Sequence, residues 1–453
     1  MRIVVIGTGY VGLVSGACLA DFGHEVVCVD QSSAKIAELS RGQIPIHEPG
    51  LEGLVARNLG RNLNFSTDAP ANVAGADLVI LAVGTPSSED GKAELGHLFQ
   101  AVEEVVPHLR GGATLVVKST VPVGTARRIR QRAAQLPCPP RFVLVSNPEF
   151  LREGSAIRDF NEPDRIVIGH GEGESPATIR AIYAQLLARG VPLVEMSNEA
   201  AELCKYASNT FLALRVAYVN EMADFCEAVG VDIASVVQGM ALDRRIGHHY
   251  FQPGPGFGGS CFSKDISALL YTAHEAGLDL RIGSAVKQAN SLRKQGLAKR
   301  VARAAGGTLK GKSIAVLGLA FKANTDDMRD SAALNLIADL RSRGVTVRTY
   351  DPAARPPALA GVTGCSSLAE AITGTDAAVI MTEWDEFRSM DLAAVAKLMR
   401  KPVVVDFRNL FPLSKAKAAG ITYHSLGRAT VRHQPEGQTA LPQGESLPLP
   451  VPA

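Results

Sequence analysis

Residues 2–6, Arg-Ile-Val-Val-Ile, are apolar at both alternations of a strand, so neither face can meet water. Such a run predicts a strand buried inside a parallel sheet. Gly7-Thr8-Gly9-Tyr10-Val11-Gly12 comes next, then helical spacing through Leu19, Ala20 and Phe22, and a second strand over 25–30 that ends in Asp30. Strand-like runs at 77–83, 114–118 and 142–146, separated by polar or helical stretches, continue the alternation of a doubly wound sheet. From residue 199 to about 305 the spacing turns helical, with one long stretch over 200–230 and an interruption at the glycine-rich loop 253–260. At Lys312 the strand pattern resumes with Ser-Ile-Ala-Val-Leu-Gly, followed by a helix near 332–343, a strand over 345–350 before Asp351, and strands at 377–381 and 402–406. The expected fold is α/β: two Rossmann-like doubly wound domains (1–198 and 306–430) joined by a long central helix and a helical middle domain (199–305). Residues 431–453 hold five prolines and no periodicity, and are expected to form a disordered tail.

Composition narrows the partners. The chain's 47 basic and 45 acidic side chains create no field that would draw nucleic acid or a membrane surface, so an anionic ligand needs a local cluster of cations. Seven cysteines, at 18, 28, 138, 204, 226, 261 and 365, lack C-x-x-C pairing, which argues against a disulfide framework and a zinc site. A reducing cytoplasm and no bound metal are expected. With no h-region behind Arg2 and no apolar run of 18 residues, neither export nor membrane insertion is expected.

The first turn carries the clearest chemistry. A Gly-x-Gly-x-x-Gly that follows a strand, opens a helix and precedes a strand ending in an acid is the dinucleotide-binding pattern. Gly7 permits the tight turn, Gly9 lets the backbone approach a pyrophosphate, and Gly12 allows close helix–strand packing. Asp30 would accept the adenosine ribose hydroxyls. A 2′-phosphate there would meet repulsion of about 4 kcal/mol at about 4 Å and an effective dielectric of about 20, so NAD is expected over NADP. Lys35 softens that preference. The second unit has only Gly318-Leu319-Ala320 at its turn. Lys322 and Arg329 follow it, at the edge where open α/β sheets bind ligands, leaving a structural repeat and an anionic-nucleotide site as alternatives.

Gly256-Phe257-Gly258-Gly259-Ser260-Cys261-Phe262-Ser263-Lys264-Asp265 sets one thiol behind glycines and beside a cation and a carboxylate. Taken alone, these ten residues leave Cys261 open between a packing thiol and a nucleophile.

Five segments in order resemble the UDP-glucose/GDP-mannose dehydrogenase family: Gly7–Gly12; Lys118-Ser119-Thr120-Val121-Pro122-Val123-Gly124-Thr125; Asn147-Pro148-Glu149-Phe150-Leu151-Arg152-Glu153-Gly154; Lys205-Tyr206-x-x-Asn209; and Gly258–Asp265. The resemblance spans residues 1 to about 430 and is nearest to the family's bacterial, UDP-glucose-oxidising branch. It implies an NAD-binding domain, a dimerising helical domain and a nucleotide-sugar-binding domain, and so a homodimer is expected. The implied reaction is a four-electron oxidation of UDP-glucose to UDP-glucuronate by two NAD⁺, with the aldehyde held on the enzyme. GDP-mannose or a UDP-N-acetylhexosamine is the alternative substrate, and a non-catalytic NAD-binding sensor the alternative from another class.

The same resemblance assigns roles. Cys261 would add to the aldehyde to give a thiohemiacetal, oxidised to a thioester that water hydrolyses. Lys205 and Asn209, four apart on one helix face, would hold the oxyanion. Thr120 and Asp265 would position a water, and Glu149 would serve thioester hydrolysis. Around NAD it implies Gly7, Gly9, Tyr10, Val11, Gly12, Asp30, Lys35, Thr85, Thr120, Glu153, Lys264 and Arg329. Around the nucleotide sugar it implies Glu149, Phe150, Leu151, Arg152, Glu153, Lys205, Asn209, Tyr250, Gly254, Gly256, Phe257, Gly258, Phe321, Lys322 and Arg408. Arg245 resembles an arginine that reaches into the partner subunit's site. One departure is Ser263, where many members carry proline; little chemical consequence is expected.

Overall fold

In the computed structural model, which describes residues 1–355 and 361–433, eight strands form the first sheet. They are β1 (Arg2–Ile6), β2 (Glu25–Val29), β3 (Leu63–Ser66), β4 (Leu78–Leu81), β5 (Thr114–Val117), β6 (Val143–Ser146), β7 (Ile166–His170) and β8 (Leu193–Ser197). Their order is β3-β2-β1-β4-β5-β6-β7-β8, parallel except where β7 runs antiparallel to β6. Alternate residues feed different cores: Ile3, Val5, Ile80 and Val116 pack on one side, Val4, Ile6, Leu81 and Val117 on the other. That two-sided burial is why these strands read as unbroken apolar runs.

Six more strands form a second sheet: β9 (Ser313–Leu317), β10 (Thr346–Tyr350), β11 (Val362–Gly364), β12 (Ala377–Ile380), β13 (Val403–Asp406) and β14 (Thr422–Ser425). The order β11-β10-β9-β12-β13-β14 repeats that of β3 to β6, and every pairing is parallel. Strands β3, β8, β11 and β14 were not legible as apolar runs because they are short or polar. β7 was not legible either, since its apolar run Ile166-Val167-Ile168 is only three residues long.

Between the sheets the chain is helical. Asn198 opens a 32-residue helix, Asn198–Val229, directly after β8; Ser197 caps it by accepting the Ala200 amide at 3.2 Å, and Gly230 ends it at φ 74°. Helices Ile233–Ala241, Phe262–Glu275 and Arg281–Ala304 complete the segment, and the long helix packs against the last two as well as β7. Val431 bridges to Tyr423, so chain order persists just inside the stretch read as a tail; residues 434–453 of that stretch lie outside the described residues. Among the described residues no helix is long and apolar enough to cross a membrane.

Candidate active site

The cofactor turn, Asp30, Thr85, Thr120 and Glu149 follow the C-terminal ends of strands of the first sheet, where connections diverge and leave a crevice, whereas Lys205, Asn209, Cys261 and Asp265 come from helices of the middle segment. After β1, Gly7 turns at φ 99° and Gly9 sits at the N-cap of helix Tyr10–Asp21. A Cβ at Gly12 would run into the Gly7 carbonyl oxygen, whereas one at Gly9 would meet nothing within 4 Å. The turn is thus packed behind and open in front, which fits a pyrophosphate against the helix N-terminus. Asp30, after β2, accepts the Thr8 amide at 3.0 Å, the Thr8 hydroxyl at 2.7 Å and Lys35 Nζ at 3.2 Å. Burial works against its ionisation, but these donors hold its carboxyl below the usual range. Lys35 is therefore engaged with Asp30. Thr85 donates its hydroxyl to the Thr120 carbonyl at 2.7 Å, tying the ends of two neighbouring connections together. Val11 and Tyr10 lie in the first helical turn.

Glu202, Lys205 and Asn209 occupy one face of the long helix, three and four residues apart. Lys205 Nζ donates to Glu149 Oε1 at 2.8 Å, with both side chains about 95 % buried (4 % and 5 % exposed). Breaking a buried pair by removing one partner costs about 3–5 kcal/mol, so neither charge is incidental. Burial opposes ionisation of Glu149, yet Lys205 holds its carboxyl low, and Glu149 in turn holds the Lys205 ammonium high. Asn209 Nδ2 donates to Asp265 Oδ2 at 2.6 Å and Lys264 Nζ to Asp265 Oδ1 at 2.7 Å. Cys261 stands at the N-cap of helix Phe262–Glu275, facing this cluster. Burial and the Glu149 carboxylate push its thiol up, Lys205 pulls it down, and the net direction is upward. The resting group is a thiol, so its nucleophile has to be made by proton removal during the reaction.

The structure brings together Cys261, Lys205, Asn209, Asp265, Lys264 and Glu149. Thr120 follows β5 nearby, but its hydroxyl makes no hydrogen bond to Asp265, whose two oxygens are taken by Asn209 and Lys264. Glu153 accepts the Ser260 hydroxyl at 3.0 Å, and Ser260 Oγ lies 3.6 Å from Cys261 Sγ. Burial and Asp327 push the Glu153 carboxyl up to about 7, against Ser260, Arg329 and Lys322. Arg329 lies 3.7 Å from Glu153 and pairs chiefly with Asp327.

Phe321 packs against the Gly258–Gly259 turn, and Arg408, after β13, donates to the Phe321 and Met381 carbonyls. Lys322 is half-buried, and burial lowers its pKa although Glu153 and Glu383 raise it. Tyr250 adopts φ 64° and packs its ring against Phe262, which also meets Phe257 edge-on. Gly254 and Phe257 are fixed by Asn220 and Asn290, and Gly256 abuts Asn290. Phe150 lies under Arg165 and near Lys205, and the Leu151 amide donates to Glu149 at 2.6 Å. Two arginines stay outside the cluster. Arg152 is locked to Asp159, and Arg245, with its side chain 89 % exposed, pairs only with Asp243. Among the described residues no group of three or more His, Cys, Asp or Glu could hold a metal ion.

Three family models cover the chain in this order: the NAD binding domain (residues 1–187), the central domain (199–292) and the UDP binding domain (315–412) of the UDP-glucose/GDP-mannose dehydrogenase family. The chain belongs to that family. It is 45% identical over 435 residues to the UDP-glucose 6-dehydrogenase of Rhizobium meliloti, spanning 94% of this chain and 100% of the relative. The UDP-glucose 6-dehydrogenase TuaD of Bacillus subtilis is 43% identical over 95% of this chain and 94% of its own. Among solved structures, a UDP-glucose dehydrogenase from Pyrobaculum islandicum superposes with TM-score 0.86 at 37% identity, covering 94% of this chain and 98% of that one. A UDP-D-ManNAc dehydrogenase from Pyrococcus horikoshii follows the fold with TM-score 0.83 at 28% identity, over 94% and 99% of the two chains.

Several residues that build this family site were not singled out from the sequence. Glu48, buried, accepts the Tyr10 hydroxyl and the amides of Gly154 (2.6 Å) and Ala156 (2.8 Å), binding the cofactor turn to the Glu153 loop. Glu202 accepts the Gly124 and Ala126 amides, and burial pushes its carboxyl up to about 7. Lys294 and Ser263 both bond Asp330, at 2.7 and 2.5 Å. Ser263, the departure from the proline many members carry, thus has a hydroxyl partner that proline could not supply. Lys118 has a visible signal: a lysine directly after the fully buried strand β5.

Proposed function

We propose that this chain is an NAD-dependent UDP-glucose 6-dehydrogenase that makes UDP-glucuronate through a covalent adduct on Cys261. The observation that carries the reading is the buried constellation around that thiol. A dehydrogenase performing only one oxidation needs a base and a cofactor, but no cysteine set between Lys205, Asn209 and two carboxylates. Bound NAD⁺ supplies the hydride acceptor, once for the alcohol and once for the adduct. The chain's own groups do the rest. Lys205 and Asn209, on one rigid helix, present N–H donors where negative charge develops on the C6 oxygen. Cys261 sulfur bonds to the aldehyde carbon, which becomes tetrahedral and so can release the second hydride; the thioester that remains is cleaved by water, with Glu149 taking the water's proton. Glu153, poised near neutrality and linked to Cys261 through Ser260, suits proton exchange with the thiol.

The segments divide the work: 1–198 holds the cofactor, 199–305 carries the thiol loop and Lys205, and 306–430 presents Phe321, Lys322 and Arg408 to the nucleotide. A homodimer fits the long helix, where Phe211 (58 % exposed), Tyr218 and Phe225 (60 % exposed) recur every seven residues as an uncovered apolar stripe. Arg245, unused by its own site, is free to serve the partner's.

The test is a donor panel with purified protein and NAD⁺, counting NADH per sugar. UDP-glucose should give two NADH and a carboxylate, and Cys261→Ser should bind the sugar nucleotide yet make no carboxylate. One NADH per sugar, or a preference for GDP-mannose or a UDP-N-acetylhexosamine, would overturn the assignment.

A further inference from the structure

Lys118 follows β5 with 4 % exposure, and its Nζ reaches only neutral oxygens, Asn147 Oδ1 at 3.1 Å and the Tyr183 hydroxyl at 3.3 Å. Among the described residues no carboxylate lies within ion-pair distance of it. A buried ammonium is costly unless its charge is compensated. Glu149, two residues beyond Asn147, is a carboxylate whose charged form Lys118 favours through space. Asn147 is itself pinned, accepting from Tyr183 at 2.7 Å and donating to the Val167 carbonyl at 2.9 Å, so the end of β6 cannot swing away.

We propose that Lys118 is a positioning residue for thioester hydrolysis: it is the second cation behind Glu149, sustaining that carboxylate while Lys205 turns toward the substrate oxygen. The inference rests on the reading of Glu149 given above. Among the described residues Lys205 is the one cation hydrogen-bonded to Glu149, and it is also the donor proposed for the oxyanion, so it cannot serve both at full strength. Hydrolysis then needs Glu149 ionised by another charge: Glu149 takes a proton from water, the water oxygen bonds to the carbonyl carbon, the C–S bond breaks, and the sulfur leaves as a thiolate that recovers the proton. The groups facing this pair are Lys205 from the long helix, Cys261 and Asp265 from the thiol loop, Tyr183 behind Asn147, and Arg165 across the Phe150 ring.

The experiment compares wild type, Lys118→Met, the milder Lys118→Gln and Tyr183→Phe in the full chain, with whichever nucleotide sugar the wild type oxidises. It records kcat and KM against pH, and the Cys261 acyl adduct by mass spectrometry after acid quench. Glu149 works as a carboxylate above its pKa, and losing a cation raises that pKa, so the acid limb of kcat should move up by about one pH unit in both Lys118 variants. KM should stay within about twofold, and the adduct should accumulate on the acid side. Tyr183→Phe, which removes a neutral partner and keeps the charge, should leave the limb in place. A lower kcat with an unmoved limb in either folded Lys118 variant, or the same shift in Tyr183→Phe, would overturn the proposal. A wild type that turns over another sugar nucleotide instead of UDP-glucose would count against the assigned substrate and leave this comparison intact.

Discussion

The two sheets share a strand order and a turn, yet one turn is built to receive a ligand and the other is closed on itself. Gly7 and Gly318 both follow the first strand of their unit with φ near 90° (99° and 92°), and an aspartate ends the second strand in each. Asp30 spends its oxygens on Thr8, Ser32 and Lys35 at a half-buried position beside the open front of Gly9. Asp351 is fully buried and accepts four amides, from Leu319, Ala320, Ala353 and Ala354. In the first unit a helix begins at Tyr10 and offers its N-terminus to a phosphate. In the second, Ser331 caps the corresponding helix, Ala332–Ser342, only after an intervening loop. That loop carries Phe321, Lys322, Arg329 and Asp330 to the Gly258–Ser263 segment. One topology thus yields a cofactor cradle when the helix starts at once, and a clasp on the thiol loop when it starts late.

The largest effect expected from breaking this contrast is at Gly12. Gly12→Ala drives a Cβ into the Gly7 carbonyl, so NAD⁺ titration should show binding lost beyond measurement while the second unit still unfolds as in wild type. The aspartates should then cross over. Asp351→Ala leaves four amides without their acceptor, three of them buried, and should cost about 3 kcal/mol or more in the unfolding free energy of the second unit, with NAD affinity unchanged. Asp30→Ala should cost less stability than Asp351→Ala, since Asp30 is half-buried and its pair with Lys35 is partly solvent-exposed, although the Thr8 donors lose their partner, but it should weaken NAD⁺ binding about tenfold or more by titration. Equal effects of the two on NAD affinity would erase the distinction. The smallest effect concerns Glu153, the carboxylate that the second unit's loop helps to bury. Its folded pKa of about 7 lies above the ordinary value of 4.5, so its stabilising contribution is complete below about 4.5 and is lost as pH rises through about 7. Glu153→Gln should flatten the fall in melting temperature between pH 5 and 7.5, leaving the part due to Glu202, which is raised in the same direction.

Legibility followed burial and local spacing. β1, β2, β4, β9 and β12 could be read because both faces are apolar, and Gly7 and Gly12 because backbone packing admits nothing larger at the rear of the turn. Lys205 and Asn209 share a face by helical spacing alone. Edge strand β8, with most of its side chains partly or fully exposed, carries no such pattern. Glu48 and Asp330 sit in loops without periodicity, and their importance comes from partners more than 30 residues away. The cation beside Cys261 in the sequence does not decide the state of its thiol, because folding also buries Cys261 and sets Glu149 beside it.

The sequence by itself determined that there are two parallel α/β units, a helical span between them, a dinucleotide turn ahead of Asp30 and a thiol in a glycine-rich loop. These depend on short-range periodicity and on steric limits that act within a few residues. Only the tertiary structure decided that Glu149 belongs to Lys205, that Asp265 is held by Asn209 and Lys264, that Asp351 is tied to four amides of its own unit, and that Lys118 is buried against Asn147 and Tyr183. Charges interact through space and their strength depends on burial, and neither distance nor burial exists along the chain until it folds.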